Sequence, residues 1–125
     1  MVVFDTSLLL DISKGKKSAL DIIASYEGKE QITTTVINKY ELLRGANQKE
    51  AKLLSDLIEK FIVYDFQDGN IDQVIKAYNY LADRGKIISE LDMIIAGIAR
   101  ANNETLLTRD KDFLNFEDTR IIVVK

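Results

Sequence analysis

The sequence predicts an α/β fold, a parallel sheet of about five strands covered on both faces by helices in a three-layer sandwich. Two observations predict it. Short apolar runs alternate along the chain with longer segments of helical period, the order of parallel strands joined by crossover helices. The runs are also apolar at nearly every position, which leaves no wet face and calls for cover on both sides. Length sets a bound: 125 residues fit a single domain, residues 1–125, and leave no room for a second.

The elements follow in order. Met1–Phe4 is an apolar run ending in Asp5-Thr6-Ser7, a buried strand followed by a helix start. A helix begins over Leu8–Ile12, breaks at Ser13-Lys14-Gly15-Lys16-Lys17 and resumes over Ser18–Tyr26, where Leu20, Ile23 and Ala24 recur at helical spacing. Gln31–Thr35 is short and β-branched, a second strand. Val36–Ala46 has a helical pattern, and Lys49–Phe61 places Leu53, Leu54, Leu57, Ile58 and Phe61 on one face of an amphipathic helix. Ile62–Phe66 is the third strand. Ile71, Val74, Ile75, Tyr78 and Leu81 mark a helix that Arg84-Gly85 ends. Glu90–Asn102 is a helix with a nearly all-apolar middle, Thr105–Thr108 a strand, Asp110–Phe116 a short helical turn and Arg120–Val124 the last strand.

Composition narrows the chemistry. Apolar residues make up 46% of the chain, enough for a sizeable core, and 30% are charged, an ordinary soluble surface. No apolar run reaches transmembrane length and no secretory leader is visible, so no membrane partner and a cytoplasmic location are the expectation. There are no cysteines and no histidines. Disulfides, thiolate ligands, a Ser-His-Asp triad and a histidine base are thereby excluded. Catalysis near neutral pH must rest on carboxylates, hydroxyls, lysines, tyrosines or a metal held by oxygen. A net charge of −3 argues against a broad basic surface, yet acids clustered at a metal site leave room for a local basic patch.

In open α/β sheets ligands bind beyond the carboxyl ends of the strands. Asp5 lies at the end of the first strand, and Asp110 lies two residues after Thr108. Asp92 falls in the first turn of its helix, and Glu41 lies on the order of 9 Å along the helix after the second strand. Glu41 reaches the same edge if its helix packs across it. Asp92 is followed by Met93, Ile94, Ile95, Ala96, Gly97, Ile98 and Ala99, and Val36, Ile37, Tyr40, Leu42, Leu43 and Ala46 surround Glu41. A carboxylate in such a helix must be paired, protonated or bound to a cation. Converging carboxylates raise one another's pKa unless a positive charge sits among them. A hard divalent cation, Mg²⁺ or Mn²⁺, meets that need without histidine, and its waters supply an attacking hydroxide.

Plainer readings exist for each acid. Asp5 caps the helix that follows it. Asp92 completes a capping box, Ser89-Glu90-Leu91-Asp92. Glu41 pairs with Arg44 one turn on. Asp110 and Asp112 belong to a charged loop, Thr108-Arg109-Asp110-Lys111-Asp112-Phe113. Arg44 and Arg109 lie near the acids, where phosphate binding is one reading; Lys14, Lys16 and Lys17 read as a solvated loop. Gly97 costs about 1 kcal/mol within a helix unless close backbone packing offsets it.

The chain resembles a PIN domain and, within that superfamily, the VapC-type toxins of toxin–antitoxin pairs. The resemblance rests on Val3-Phe4-Asp5-Thr6-Ser7, on Thr34 to Ala46 with its Tyr40-Glu41-Leu42-Leu43, on Leu91-Asp92-Met93-Ile94-Ile95-Ala96, and on Leu107-Thr108-Arg109-Asp110-Lys111-Asp112-Phe113. It implies an endoribonuclease that uses one or two Mg²⁺ or Mn²⁺ ions to activate water against an RNA phosphodiester, a homodimer, and an antitoxin partner protein whose tail enters the acidic groove. It also implies Asp5, Glu41 and Asp92 as acidic ligands with Asp110 as the fourth, Asp112 as its rival, and Thr6, Ser7 and Thr108 as hydroxyls near the metal. Two other functions fit less well. A phosphatase with Asp5 as nucleophile needs a second aspartate where Ser7 stands, and a non-catalytic interaction module leaves the four acids without a role.

Overall fold

The computed structural model describes residues 1–125 and contains the predicted sheet. Strands β1 (Val2–Phe4), β2 (Ile32–Thr35), β3 (Ile62–Tyr64), β4 (Thr105–Thr108) and β5 (Ile121–Val123) are all parallel, in the order β3-β2-β1-β4-β5. Helices α1 (Thr6–Ser13) and α2 (Lys17–Tyr26) follow β1, and α3 (Val36–Arg44) and α4 (Gln48–Ile58) follow β2. Helices α5 (Ile71–Asp83) and α6 (Glu90–Ala101) join β3 to β4. Single 3₁₀ segments occupy Asp68–Asn70 and Lys111–Phe116.

Strand alternation divides the core. Val2 and Phe4 point to one face, packing with Leu8, Leu9, Ile12, Ala19 and Ile23 of α1 and α2 and with Leu54 and Ile58 of α4. Val3 points to the other, joining Ala77 and Leu81 of α5, Met93, Ile95, Ala96 and Ala99 of α6, and Phe113 and Phe116. Leu107 and Leu106 divide in the same way. Successive strand residues face opposite sides, so a continuously apolar strand is buried twice over only with helices on both faces. Buried threonines reinforce the centre. Thr33 Oγ1 donates to the Val2 carbonyl at 2.8 Å and Thr34 Oγ1 to that of Phe4 at 2.9 Å, in addition to the backbone ladder.

The connections after β1 and β2 cover one face, and the α5–α6 connection covers the other. The switch falls between β1 and β4, where the carboxyl ends open a crevice. Helix α3 packs against α1 and α4 on one side and α6 on the other, so it crosses that edge and carries Glu41 to it. Ser89 caps α6 by accepting from the Asp92 amide at 3.1 Å, and Gly85 takes a positive φ of 64° after α5.

Three sequence expectations need correction. The edge strands are not dry: Ile62 in β3 is 45% exposed and Ile122 in β5 is 42% exposed, because each edge strand has a neighbour on one side only. Leu53 is exposed, so the α4 core face is narrower than its leucines suggest. Val36 and Tyr40 are also exposed, which leaves α3 less enclosed than its composition predicts. The expected tight packing at Gly97 is present. A Cβ there would overlap Val74 Cγ2 and come within 2.9 Å of the Val74 backbone, so α5 and α6 meet at backbone distance. Gly97→Ala should therefore destabilise the protein by about 1–3 kcal/mol through overpacking, despite alanine's better helix propensity. Urea denaturation measures this, and adding Val74→Ala should recover only part of the loss, since the backbone clash remains.

Candidate active site

The site starts at the β1–β4 junction. Phe4 pairs with Leu107, so the next residues, Asp5 and Thr108, stand side by side. Asp5 is 3% exposed. By position it caps α1, but its side chain makes no capping bond. The carboxylate instead accepts from Thr108 Oγ1 at 2.6 Å, Asn38 Nδ2 at 2.9 Å and Ser7 Oγ at 3.4 Å. Burial pushes its pKa up, the donated bonds of Thr108, the Thr6 amide and Asn38 pull it back, and the Glu41 charge adds to the rise.

Asn38 was not among the residues singled out from sequence, where one asparagine in the first turn of a helix carries no signal of its own. It is fully buried. Its Oδ1 accepts from the Thr35 amide and hydroxyl, and its Nδ2 donates to Asp5 Oδ1 and to Thr6 Oγ1 at 2.9 Å each. Thr6 Oγ1 in turn donates to Glu41 Oε1 at 2.7 Å. This chain links β2, α1 and α3 and orients both Asp5 and Glu41. The only signal available beforehand was the capping box that Thr35 and Asn38 form at the start of α3.

Asp92 projects from the first turn of α6 and is half-buried. Burial is the main reason its pKa rises to about 6; a hydrogen bond from Ser89 opposes this, and the charges of Asp5, Asp110 and Glu41 add to it. Those charges place Asp5, Asp110 and Glu41 each within electrostatic reach of Asp92. Asp112 is not among them and is exposed. Asp110 is half-buried, accepts the Asp112 amide on Oδ1 at 2.9 Å, and donates its own amide to Thr108 Oγ1 at 3.0 Å.

The two arginines differ in how they are held. Arg44 is exposed, stacks over Tyr40 with its guanidinium 5.2 Å from the ring centroid, and makes no ion pair with Glu41. Arg109 is committed elsewhere: Nε pairs with Asp11 at 3.1 Å and Nη2 donates to Ser18 at 2.9 Å. Its guanidinium turns toward α1 and α2.

None of the four acids takes part in an ion pair. As the side chains stand, no three of them lie close enough together to hold a metal ion. Their donor chemistry nevertheless fits a hard divalent cation: the donor atoms on offer are carboxylate and neighbouring hydroxyl oxygens, and negative charge is in surplus with no side-chain cation to balance it.

Two outcomes follow. In chelator, stability should fall as pH rises from about 4 to about 6. Over that interval the unfolded chain releases the Asp92 proton while the folded protein still holds it; below it the group is neutral in both states. Asp92→Asn should flatten this window and raise the melting temperature at pH 7.5, as read by scanning calorimetry. Asn38→Ala should cost about 1–3 kcal/mol in urea denaturation, since it leaves Asp5 Oδ1 and the Thr35 amide buried without partners.

Comparison with known proteins agrees with this architecture. Residues 2–118 match the PIN domain family. No curated protein matches the chain. Among solved structures, VapBC2 of Rickettsia felis, bound to a DNA fragment from its promoter, is similar with a TM-score of 0.85 at 21% identity, over 98% of this chain and 96% of that one. A toxin–antitoxin complex from Klebsiella pneumoniae gives 0.77 at 20% identity, over 90% of each chain. Mycobacterium tuberculosis VapC20, a Sarcin-Ricin loop cleaving toxin, gives 0.71 at 16% identity, over 97% of this chain and 98% of that one. With the family match spanning nearly the whole sequence and the fold shared throughout, this chain belongs to the PIN domain family.

Proposed function

We propose that the protein is a Mg²⁺- or Mn²⁺-dependent endoribonuclease, the toxin of a toxin–antitoxin pair. The observation that carries this reading is Asp92: a half-buried carboxylate whose pKa is lifted by burial and by the charges of Asp5, Asp110 and Glu41, at the carboxyl edge of a parallel sheet. Such a cluster is stable in its ionised form only with a cation among its members. The neighbours described as toxin–antitoxin complexes, and the one described as cleaving the Sarcin-Ricin loop, support RNA as substrate and an antitoxin as partner. The resemblance adds a homodimer as the working assembly.

A divalent ion held by these acids would lower the pKa of a bound water and neutralise charge developing on the phosphodiester. The chain's own contribution is placement. Asn38 and Thr108 hold the two oxygens of Asp5 in separate directions. Thr6 fixes Glu41, Ser89 tethers the first turn that bears Asp92, and Thr108 draws in the Asp110 amide. An aspartyl-phosphate route has no comparable support, because position 7 is serine and both oxygens of Asp5 are engaged.

Purified protein should cut RNA in Mg²⁺ or Mn²⁺ and not in excess chelator, assayed on a labelled transcript. Asp92→Asn should lower the rate on the order of a hundredfold or more. Asp110→Asn should be the more damaging of the two loop substitutions, with Asp112→Asn keeping about tenfold more activity. Full cleavage in chelator would overturn the metal-dependent reading.

A further inference from the structure

We propose that Arg109 and Asp11 form a positioning pair that holds the segment 108–112 against α1, and thereby sets where Asp110 stands relative to Asp5. The proposal rests on the reading of Asp110 as a ligand of the ion.

Helix α1 grips Arg109 at both ends. Ser7 and Asp11 are four residues apart and so share one face of α1. Ser7 Oγ accepts the Arg109 backbone amide at 2.9 Å, while Asp11 Oδ2 takes the guanidinium Nε at 3.1 Å. Of the other guanidinium nitrogens, Nη2 donates to Ser18 at 2.9 Å, and Nη1 is buried without a partner. Both side chains of the pair are mostly covered, Arg109 18% and Asp11 17% exposed. Lys16 Nζ lies 3.1 Å from the other Asp11 oxygen, so one carboxylate ties together α1, the loop before α2 and the turn after β4.

The residues on either side of Arg109 face the site. Thr108 Oγ1 donates to Asp5 Oδ2 and accepts the Asp110 amide; Asp110 Oδ1 accepts the Asp112 amide. With Arg109 anchored from behind, the backbone at 108–110 has its path fixed between two attachments to α1. A largely buried ion pair whose Nη1 amino group has no partner contributes little net stability. Its effect is directional, like that of the outer hydrogen-bond partners that orient metal ligands, whose loss costs on the order of 10–100-fold in metal affinity or activity.

The test compares Asp11→Asn, Arg109→Met and Arg109→Lys with the unaltered protein. The readouts are Mn²⁺ binding by calorimetry, amide hydrogen exchange at Asp110 and Asp112, and kcat and KM on RNA. Asp11→Asn and Arg109→Met should each weaken Mn²⁺ binding about tenfold or more, speed exchange at the two amides, and lower kcat with KM unchanged. The double variant should lose no more than either single one, and Arg109→Lys should recover part of the loss. If Arg109→Met raises KM while Mn²⁺ binding and exchange stay as they were and Asp11→Asn is silent, Arg109 is a phosphate contact and the proposal fails. It fails also if the substitutions lower the melting temperature without moving exchange at Asp110, or change nothing. Should the unaltered protein neither bind Mn²⁺ nor cut RNA, the ribonuclease reading falls, while the exchange measurement still decides whether the pair positions the segment.

Discussion

Everything at the carboxyl edge of the sheet depends on keeping a carboxylate buried at Asp5. Removing such a group from water is costly unless its oxygens receive hydrogen bonds or meet a cation. The fold supplies donors from three directions: Thr108 from the adjacent strand, Asn38 from the helix after β2, and Ser7 from its own helix. Each donor comes from an element whose position is set by the core. The switch between β1 and β4 brings Thr108 alongside, and the passage of α3 across the edge brings Asn38. The architecture and the buried charge are therefore a single problem with one solution.

Much of this was legible in the sequence. Largely apolar, β-branched short runs implied strands covered on both faces, and alternation with helical segments implied that the strands are parallel. Ser89 before an apolar helix and Gly85 after one marked boundaries through known backbone chemistry. Asp92 stood out because the seven residues after it are apolar or glycine, and six of them are buried in the structure, an environment that an idle charge does not tolerate. Glu41 was found by similar reasoning on weaker ground. Val36 and Tyr40 of its helix face solvent, and what marks Glu41 structurally is the bond from Thr6 rather than apolar enclosure.

What sequence did not reveal depends on direction. Asn38 occupies a helix position where a polar residue is unremarkable; only the crossing of α3 over the sheet edge turns its amide toward Asp5. Arg109 lies next to Asp110 in the chain, and adjacency suggested a shared role. The backbone after β4 sends neighbouring side chains opposite ways, so Asp110 remains near the acids while Arg109 is drawn to Asp11. Edge strands present the same difficulty, since Ile62 and Ile122 are apolar whether or not anything covers their outer side.

The threonine hydroxyls of β2 have a bearing on how the four acids share their work. Thr33 and Thr34 reach the carbonyls of Val2 and Phe4, so the strand leading into Asp5 is stitched to its neighbour by side chains as well as by backbone. The Glu41 and Asp110 carboxylates, on a helix that straddles the rim and on a short turn, each accept one hydrogen bond, against three at Asp5. Asp5 is thus the most tightly held of the four acids, the point from which the placement of the other three is measured.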